Sequence, residues 1–356
     1  MPLVSPKFRY LLFPLALFYW AMIFWRNLFY AVGFFVSRRL PVPVISVGNL
    51  SVGGTGKTPA VIYLARRLTE KGYKVAVVSR GYKREGTGTV VVSDGEKIQA
   101  SERTAGDEPY LTARQLPGTP VIVDEIRYRG GMVAVGRFKP DVVILDDAFQ
   151  HRALERDVDL VLLNSKDSPE DYKLLPYGRL REPWIHLRRA DIIFWTKSNL
   201  LSCDGRRGPD PSLLGRAAQW GVPTFTSTSQ PNRLLDAKTE KAVSISRIRD
   251  TKVFAFCGIA DPDSFRQIIQ KCGGQIVGFD IFEDHHHYSR TEVENLAAKG
   301  ESLGAELAVT TEKDVFKVRS WTSENVPLFS LGIHFVPSSE GEKALWALIE
   351  KMLGRP

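Results

Sequence analysis

The sequence predicts an α/β protein with a mostly parallel β-sheet, helices on both faces of that sheet, a smaller C-terminal α/β subdomain and an apolar N-terminal membrane helix. Three observations lead to this prediction. A glycine-rich turn at 48–58 lies between a short apolar run and a helical segment. Short apolar runs alternate with helical stretches along the rest of the chain, as in parallel sheets with covering helices. Residues 10–25 contain no charged side chain. We therefore divide the chain into a membrane-associated helical segment at 1–40, a nucleotide-binding domain at 41–228 and the C-terminal subdomain at 229–356.

Composition places the chain among folded globular proteins. Its 356 residues are 44% hydrophobic and 25% charged, which suffices for two domains of ordinary size. The net charge of +8 suits nucleic acid, anionic lipid or a phosphorylated substrate, and charge alone does not choose among them. Three cysteines without regular spacing argue against a disulfide framework or a zinc site, and favour a reducing compartment.

The N-terminal segment has the composition of a membrane-associated helix. After the uncharged run and the pair Arg26 and Asn27, residues 28–36 add nine more uncharged positions. A cleaved signal peptide is not expected, because no small-residue cleavage site precedes the next arginine pair. The run is slightly short for a full crossing and Pro14 interrupts it, so whether it spans the bilayer or lies on it stays open. A core helix is the alternative. Basic side chains suited to anionic headgroups are Lys7, Arg9, Arg26, Arg38 and Arg39.

The turn at 48–58 has the pattern of a phosphate-binding loop, which makes the predicted sheet P-loop NTPase-like. A buried strand, a glycine-rich turn and a helix from 59 to 68 would aim backbone N–H groups at one anion. Lys57 would reach the β- and γ-phosphates of ATP, and the Thr58 hydroxyl would bind Mg²⁺. Ser51 replaces the first glycine of the strict pattern. The expected nucleotide-binding positions of the loop are Ser51, Val52, Gly53, Gly54, Thr55, Gly56, Lys57 and Thr58.

Periodicity predicts the remaining elements. Strands are expected at 74–79, 120–123, 141–145, 158–163, 191–196, 253–256, 275–279, 307–310 and 326–331. Helices are expected at 108–115, 128–137, 181–189, 264–271, 291–299 and 342–352. A β-hairpin at 89–92 and 97–100 is a candidate flap over the site. The stretch 224–250 would connect two units that meet at a cleft.

Carboxylates and histidines supply the remaining candidate chemistry. Asp146 and Asp147 end an apolar strand, so they would face the phosphate loop and bind Mg²⁺, although adjacent aspartates are also common in ordinary turns. Asp107 and Glu108 open a helix, where such pairs are most often caps. Of three consecutive histidines at 285–287, no more than two could easily share a metal ion. One histidine beside a carboxylate in proton transfer is at least as plausible.

Together these motifs resemble the tetraacyldisaccharide 4'-kinases of lipid A biosynthesis. The matching stretches lie in order along nearly the whole chain: 43–50, 53–59, 79–82, 106–109, 145–151, 174–176, 178, 180–183, 284–285 and 311–314. Ala148 departs from the family, which usually has glycine there. His286 and His287 receive no role.

The resemblance implies a kinase on the cytoplasmic face of the bacterial inner membrane. It would transfer the γ-phosphate of ATP to the 4'-hydroxyl of an acylated glucosamine disaccharide 1-phosphate, forming lipid IVA. By resemblance, Asp107 is the base and His285 supports it, while Lys57 and Asp147 also act in catalysis. Thr58, Asp146 and Asp147 would hold Mg²⁺, and Gln150, Arg181 and Glu108 are further site residues. We expect a glycolipid substrate, contact with the membrane surface, no nucleic acid and a monomer.

Two alternatives belong to other functional classes. A membrane-bound switch ATPase has a similar loop, but its signature lysine would fall at Val52. A non-catalytic nucleotide-binding scaffold would not need Lys57, Thr58 and the aspartate pair together. Phosphate transfer to a lipid distinguishes the kinase from both.

Overall fold

One continuous β-sheet organises the part of the chain that the computed structural model describes, residues 12–318 and 320–354. In the described residues the sheet has thirteen strands. They are β1 (Val44–Asn49), β2 (Val75–Ser79), β3 (Val90–Asp94), β4 (Pro120–Val123), β5 (Val142–Asp146), β6 (Val158–Asn164), β7 (Ile192–Thr196), β8 (Thr224–Asp236), β9 (Ala242–Val243), β10 (Lys252–Cys257), β11 (Gln275–Ile281), β12 (Leu307–Thr311) and β13 (Leu328–Pro337).

Nine α-helices accompany these strands within the same described ranges. They are α1 (Phe13–Ala31), α2 (Lys57–Glu70), α3 (Glu102–Ala105), α4 (Asp107–Gln115), α5 (Arg127–Phe138), α6 (Pro211–Ala218), α7 (Pro262–Lys271), α8 (Arg290–Ser302) and α9 (Ser339–Leu353). The strand and helix predictions are therefore confirmed apart from the differences described below.

The strand order places the phosphate loop at the centre of the sheet. It runs β11-β10-β12-β13-β8-β7-β6-β1-β5-β2-β4-β3, and β9 pairs with β8. Strand β1 lies between β6 and β5 and is parallel to both. All six of its residues are buried, as expected for a strand covered on both faces. The carboxyl ends of β1 and β5 therefore meet, which brings the glycine-rich loop next to the aspartate pair.

Strand β8 connects the two parts of the sheet. Its first residues pair in parallel with β7, and its remainder pairs antiparallel with β13. The stretch 224–250, expected as a connection, thus begins with a 13-residue strand that both parts share. Position 228, where the sequence division ends the nucleotide-binding domain, lies inside this strand.

One local prediction is wrong, and the predicted hairpin forms with a shortened second arm. The stretch 181–189 is not an α-helix. Its only helical part is the 3₁₀ helix Trp184–Arg189, because Pro183 keeps the residue before it out of the helical conformation. In the hairpin, β3 pairs antiparallel with β4 at the edge of the sheet, but the returning arm is reduced to one bridge between Ser93 and Ile98. Among the described residues, the hairpin contributes none to the lining of the large cavity described below.

Helix α1 forms from the predicted apolar segment and lies on the surface. Pro14 falls in its first turn, where proline suits a helix start, so it does not interrupt the helix. Only Ala16, Ile23 and Asn27 are buried, which contradicts the core-helix alternative. No helix among residues 12–318 and 320–354 is both long enough and apolar enough to cross a bilayer. The expected lipid-facing Lys7 and Arg9 lie outside the described residues.

Candidate active site

The phosphate loop is shaped by glycines and one asparagine. Gly53 and Gly56 adopt positive φ angles of 114° and 82°, which residues with a Cβ rarely reach. The buried Asn49 Nδ2 donates to the carbonyl oxygen of Ser51 at 2.6 Å and to Thr55 Oγ1 at 3.0 Å. The Val52 N–H donates a hydrogen bond to the carbonyl oxygen of Arg179, so the part of the loop that is free to bind an anion begins at Gly53.

Asp147 lies among cations at the mouth of this loop. Its Oδ1 is 3.6 Å from Lys57 Nζ, and Arg181 donates to both of its carboxylate oxygens at 2.9 and 3.0 Å. Burial alone would raise the pKa of Asp147, but Lys57 and Arg181 outweigh burial and lower the pKa to about 2. Gln150 joins this group, because Arg181 Nη1 donates to its Oε1 at 3.5 Å. Four sequence-predicted residues, Lys57, Asp147, Gln150 and Arg181, therefore meet.

Asp146 has the opposite environment. It is fully buried, its Oδ2 accepts a 3.3 Å hydrogen bond from Ser79, and its Oδ1 has no hydrogen-bond partner among the described residues. Burial, together with Glu108 and Asp147, raises the pKa of Asp146 well above its ordinary value. A buried carboxylate oxygen without a partner at the phosphate loop fits an Mg²⁺ ligand. The described residues contain no group of three or more protein metal ligands, so nucleotide oxygens and water would complete the coordination.

The alanine that departs from the family pattern fits its turn. In the pair that follows β5, the positive φ angle of 50° belongs to Asp147, and Ala148 is fully buried. Since the left-handed residue is Asp147, the turn needs no glycine at position 148.

Asp107 forms a second polar centre with residues of the C-terminal part. His285 Nδ1 lies 3.0 Å from Asp107 Oδ2, and Lys317 Nζ lies 2.5 Å from the same oxygen. Burial would raise the pKa of Asp107, but the hydrogen bond from His285 and the charge of Lys317 lower it to about 2. The carboxylate makes no cap on α4, so the cap interpretation is wrong for Asp107. Glu108 lies 3.9 Å from Lys313 and faces the buried Asp146.

The three histidines separate. His286 contacts Glu292 at 3.1 Å and stacks on Phe282, while His287 is exposed. Only His285 reaches a site carboxylate, and it does so with a left-handed φ of 68°.

One cavity of about 880 Å³ joins the two polar centres. Residues 52–58 of the phosphate loop line it together with Asp147, Gln150, Arg181, Glu108 and His285. Helix α1 contributes Tyr19 and Arg26 to the same wall. This arrangement can hold a nucleoside triphosphate at one end and an acceptor hydroxyl at the other, beside His285, the partner of Asp107.

Helix α1 is fixed to the site through a buried carboxylate. Glu182 is 0% exposed and pairs with Arg26 of α1, with Arg189 and with His186 at 3.1 Å. The Tyr19 hydroxyl donates to the carbonyl of Arg181 at 2.9 Å. The apolar helix is therefore attached next to Arg181 and the cavity.

A buried ion pair joins the phosphate loop to the C-terminal part. Lys197 Nζ donates to the carbonyl of Gly54 at 2.5 Å and to Asp261 Oδ2 at 2.6 Å. Lys166 contacts the other oxygen of Asp261 at 3.0 Å. Burial opposes ionisation of Asp261, yet the two lysines hold its pKa well below the usual range.

Sequence reasoning missed several residues of this site. Glu182 lies in a stretch that matches the family, but the sequence alone assigned it no role. The other missed residues lie outside the matching stretches: Tyr19, Lys197, Asp261 and Lys317. A usable signal existed for Lys317, which follows the matching stretch 311–314 at the three-residue spacing of a helical turn. The partners of Lys197 lie 143 and 64 residues away, so local pattern gives no indication of them.

Comparisons with known proteins show which family the chain is similar to. A model of the family described as Tetraacyldisaccharide-1-P 4'-kinase matches residues 8–353. A tetraacyldisaccharide 4'-kinase of Aquifex aeolicus is 39% identical over 91% of this chain and 92% of its own, and one of Desulfotalea psychrophila is 39% identical over 85% of both chains. A crystal structure of LpxK from Aquifex aeolicus, described as an "apo" form in complex with ATP, has a TM-score of 0.77 and 36% identity, covering 97% of this chain and 99% of that one.

Proposed function

The chain belongs to the tetraacyldisaccharide-1-P 4'-kinase family, and we propose that the residues described above carry out its reaction. The function is ATP-dependent phosphorylation of a tetraacyldisaccharide 1-phosphate at the 4'-hydroxyl, the step of lipid A biosynthesis that forms lipid IVA. The observation that carries the assignment of residues is the cavity that joins Lys57 to His285, whose Nδ1 contacts Asp107 at 3.0 Å.

At the nucleotide end of the cavity, different residues bind the phosphates, the metal ion and the developing charge. Backbone N–H groups from Gly53 onward bind the phosphates. The Lys57 ammonium group stabilises the negative charge that develops on the β–γ bridging oxygen. Mg²⁺, when bound, neutralises phosphate charge and fixes the leaving group. The residues that would hold it are Thr58 and Asp146, because Asp146 has a free buried oxygen whereas Asp147 is occupied by Lys57 and Arg181. Asp147 thus orients the two cations that face the transferred group.

The acceptor end deprotonates the sugar hydroxyl. Asp107 takes the proton of the 4'-hydroxyl as its oxygen bonds to the γ-phosphorus, and the bridging oxygen leaves with its electron pair on ADP. A carboxylate with a low pKa suffices here, because a hydroxyl attacking a metaphosphate-like centre gives up its proton late. His285 holds Asp107 through Oδ2 and stabilises its negative charge before the transfer.

Replacing Asp107 tests this assignment. Asp107→Ala should lower kcat by roughly 10²- to 10⁴-fold, the usual contribution of a positioned base, while the Kd for ATP changes little. Lys57→Ala is the matched comparison, because it should weaken nucleotide binding as well as turnover. Single-turnover transfer and equilibrium nucleotide binding measure the two effects. Equal losses of turnover and ATP affinity in Asp107→Ala would contradict the role of base.

We propose that the protein contacts the cytoplasmic face of the inner membrane through helix α1. Large apolar side chains on it are exposed, among them Phe13 at 61%, Phe18 at 72% and Trp25 at 54%. An exposed apolar face of this size is typical of interfacial helices that lie at the headgroup boundary. Because α1 also lines the active-site cavity, the acyl chains of the substrate can stay in the lipid while the disaccharide enters the site.

Vesicle binding tests this location. Sedimentation with anionic phospholipid vesicles should recover the wild-type protein, and Phe18→Ser with Trp25→Ser should reduce recovery at least tenfold. Leu303→Ser is the control, since this exposed residue lies on the C-terminal part. Equal recovery of all variants would contradict membrane contact through α1.

A further inference from the structure

Lys317 is a buried cation in direct contact with Asp107. Its side chain is 3% exposed, and its Nζ lies 2.5 Å from Asp107 Oδ2 and 3.8 Å from Asp314 Oδ1. Neither Asp107 nor Lys317 is among the described residues that line the active-site cavity, whereas His285, which contacts Asp107, is. A buried ammonium group needs an ionised partner, and here the nearest one is the carboxylate assigned as the base. Lys317 therefore acts on the reaction through Asp107 and not through the substrate.

We propose that Lys317 is a positioning residue for phosphoryl transfer: together with His285 it occupies Asp107 Oδ2 and so presents Oδ1 to the sugar hydroxyl. This inference rests on the proposed role of Asp107 as base. None of the hydrogen bonds among residues 12–318 and 320–354 reaches Oδ1, whereas both His285 Nδ1 and Lys317 Nζ reach Oδ2. The carboxylate is thus fixed on one side and free on the other.

The segment that carries Lys317 is itself firmly held. Asp314 is fully buried and accepts hydrogen bonds from the Gly258 amide at 2.9 Å and from the Thr311 hydroxyl at 2.7 Å. The amide of Lys317 donates to the carbonyl of Asp314 at 2.9 Å. A rotamer-rich lysine is therefore anchored at both its backbone and its ammonium group, as expected for a group that sets geometry.

Other charges near Asp107 do not replace Lys317. The titratable groups that face it or its partners are Glu108 on α4, Asp284, His285 and Tyr288 after β11, and Lys313, Asp314 and Lys317 after β12. Lys313 is directed elsewhere, to Asp284 at 2.8 Å and His285 Nε2 at 3.3 Å. Lys317 is therefore the cation in contact with Asp107 among the described residues.

The pH dependence of the reaction separates positioning from a merely structural role. Lys317 is one of the groups that lower the pKa of Asp107 to about 2, so the wild type should show no acid limb from Asp107 above about pH 4. Loss of an adjacent opposite charge raises a carboxyl pKa by roughly one to three pH units, while burial continues to raise it. In Lys317→Met the acid limb of kcat/KM should therefore move into the measurable range.

The experiment records kcat/KM against pH with ATP and tetraacyldisaccharide 1-phosphate. Lys317→Met should lower kcat/KM about tenfold or more at neutral pH and move the acid limb upward, with the Kd for ATP unchanged. Lys317→Arg keeps the charge and should restore the wild-type acid limb even where turnover stays lower. Lys299→Met is the control, since Lys299 is half exposed and pairs with Asp280 at 2.6 Å, far from Asp107 in the chain.

Each result decides a different point. A uniform loss across the pH range, or the same acid limb in Lys317→Met and Lys317→Arg, would overturn the positioning role. An inactive Asp107→Ala beside a Lys317→Met enzyme with a wild-type profile would overturn only this inference. An active Asp107→Ala would overturn the proposed base itself, and the inference with it.

Discussion

A single methyl group at Gly48 should disturb the turn that carries Asp146 and Asp147. A Cβ placed on Gly48, at the end of β1, would lie 2.5 Å from Phe149 Cβ and 2.7 Å from the Phe149 amide nitrogen. Phe149 is fully buried and follows the Asp146–Asp147 pair by two residues. Strand β1 is held between β6 and β5, and Phe149 is fully buried in the turn after β5, so Gly48→Ala must shift the turn that carries both carboxylates.

The expected cost follows from overpacking. Forcing a methyl group into a packed core costs about 1–3 kcal/mol of unfolding free energy, and the backbone contact places Gly48→Ala at the upper end. A displacement of about 1 Å in a catalytic group costs roughly 10²-fold in rate, so kcat/KM should fall further than the loss of stability explains. Urea unfolding and phosphate transfer at 25 °C measure the two effects on the same sample.

Gly136→Ala provides the matched control. Gly136 is exposed in α5, and an added Cβ there meets nothing within 4 Å. Alanine should stabilise this helix by about 0.5–1 kcal/mol without changing kcat/KM. Gly48→Ala with wild-type stability and activity would refute the claim that close packing of β1 against Phe149 fixes the carboxylates.

Two further changes test the buried ion pairs that surround the site. Glu182→Ala should lower the unfolding free energy by about 3–5 kcal/mol, because it leaves buried arginine charge without a partner, whereas Glu70→Ala on the surface should cost less than about 1 kcal/mol; denaturant midpoints compare them. Asp261→Asn should lower the unfolding free energy at pH 7. An unfolding free energy equal to that of the wild type at this pH would contradict the claim that the Asp261–Lys197 pair stabilises the contact between the phosphate loop and the C-terminal part. The pKa of Asp261 is lower in the folded protein than in the unfolded chain, so its contribution is present above about pH 4 and is lost as pH falls further. The difference in stability between wild type and Asp261→Asn should therefore narrow steadily as pH falls below about 4.

The central sheet and the phosphate loop were predictable because their signals are local. Strands buried on both faces, such as β1 and β5, consist mostly of consecutive apolar residues. The glycine, lysine and threonine positions of the loop at 48–58 have the spacing that phosphate binding requires. The polar ends of these strands meet in any parallel sheet, so the approach of Lys57 to Asp147 also follows from the sequence.

Other features depend on contacts between distant parts of the chain. The sequence pattern of 181–189 suits a helix, but Pro183 and the pairing of Ser51 with Leu180 hold its start extended, and this brings Arg181 and Glu182 to the site. Strand β8 serves both parts of the sheet, which no local periodicity reveals. Asp107 looked like a helix cap because its partners, His285 and Lys317, are 178 and 210 residues away.

The most direct test of the account is transfer of label from γ-labelled ATP to detergent-dispersed tetraacyldisaccharide 1-phosphate by the wild type and by Lys57→Ala. Label should appear in the lipid with the wild type and be lost with Lys57→Ala. Label released only as free phosphate, whether or not the lipid is present, would contradict the kinase and favour an ATPase that acts as a switch.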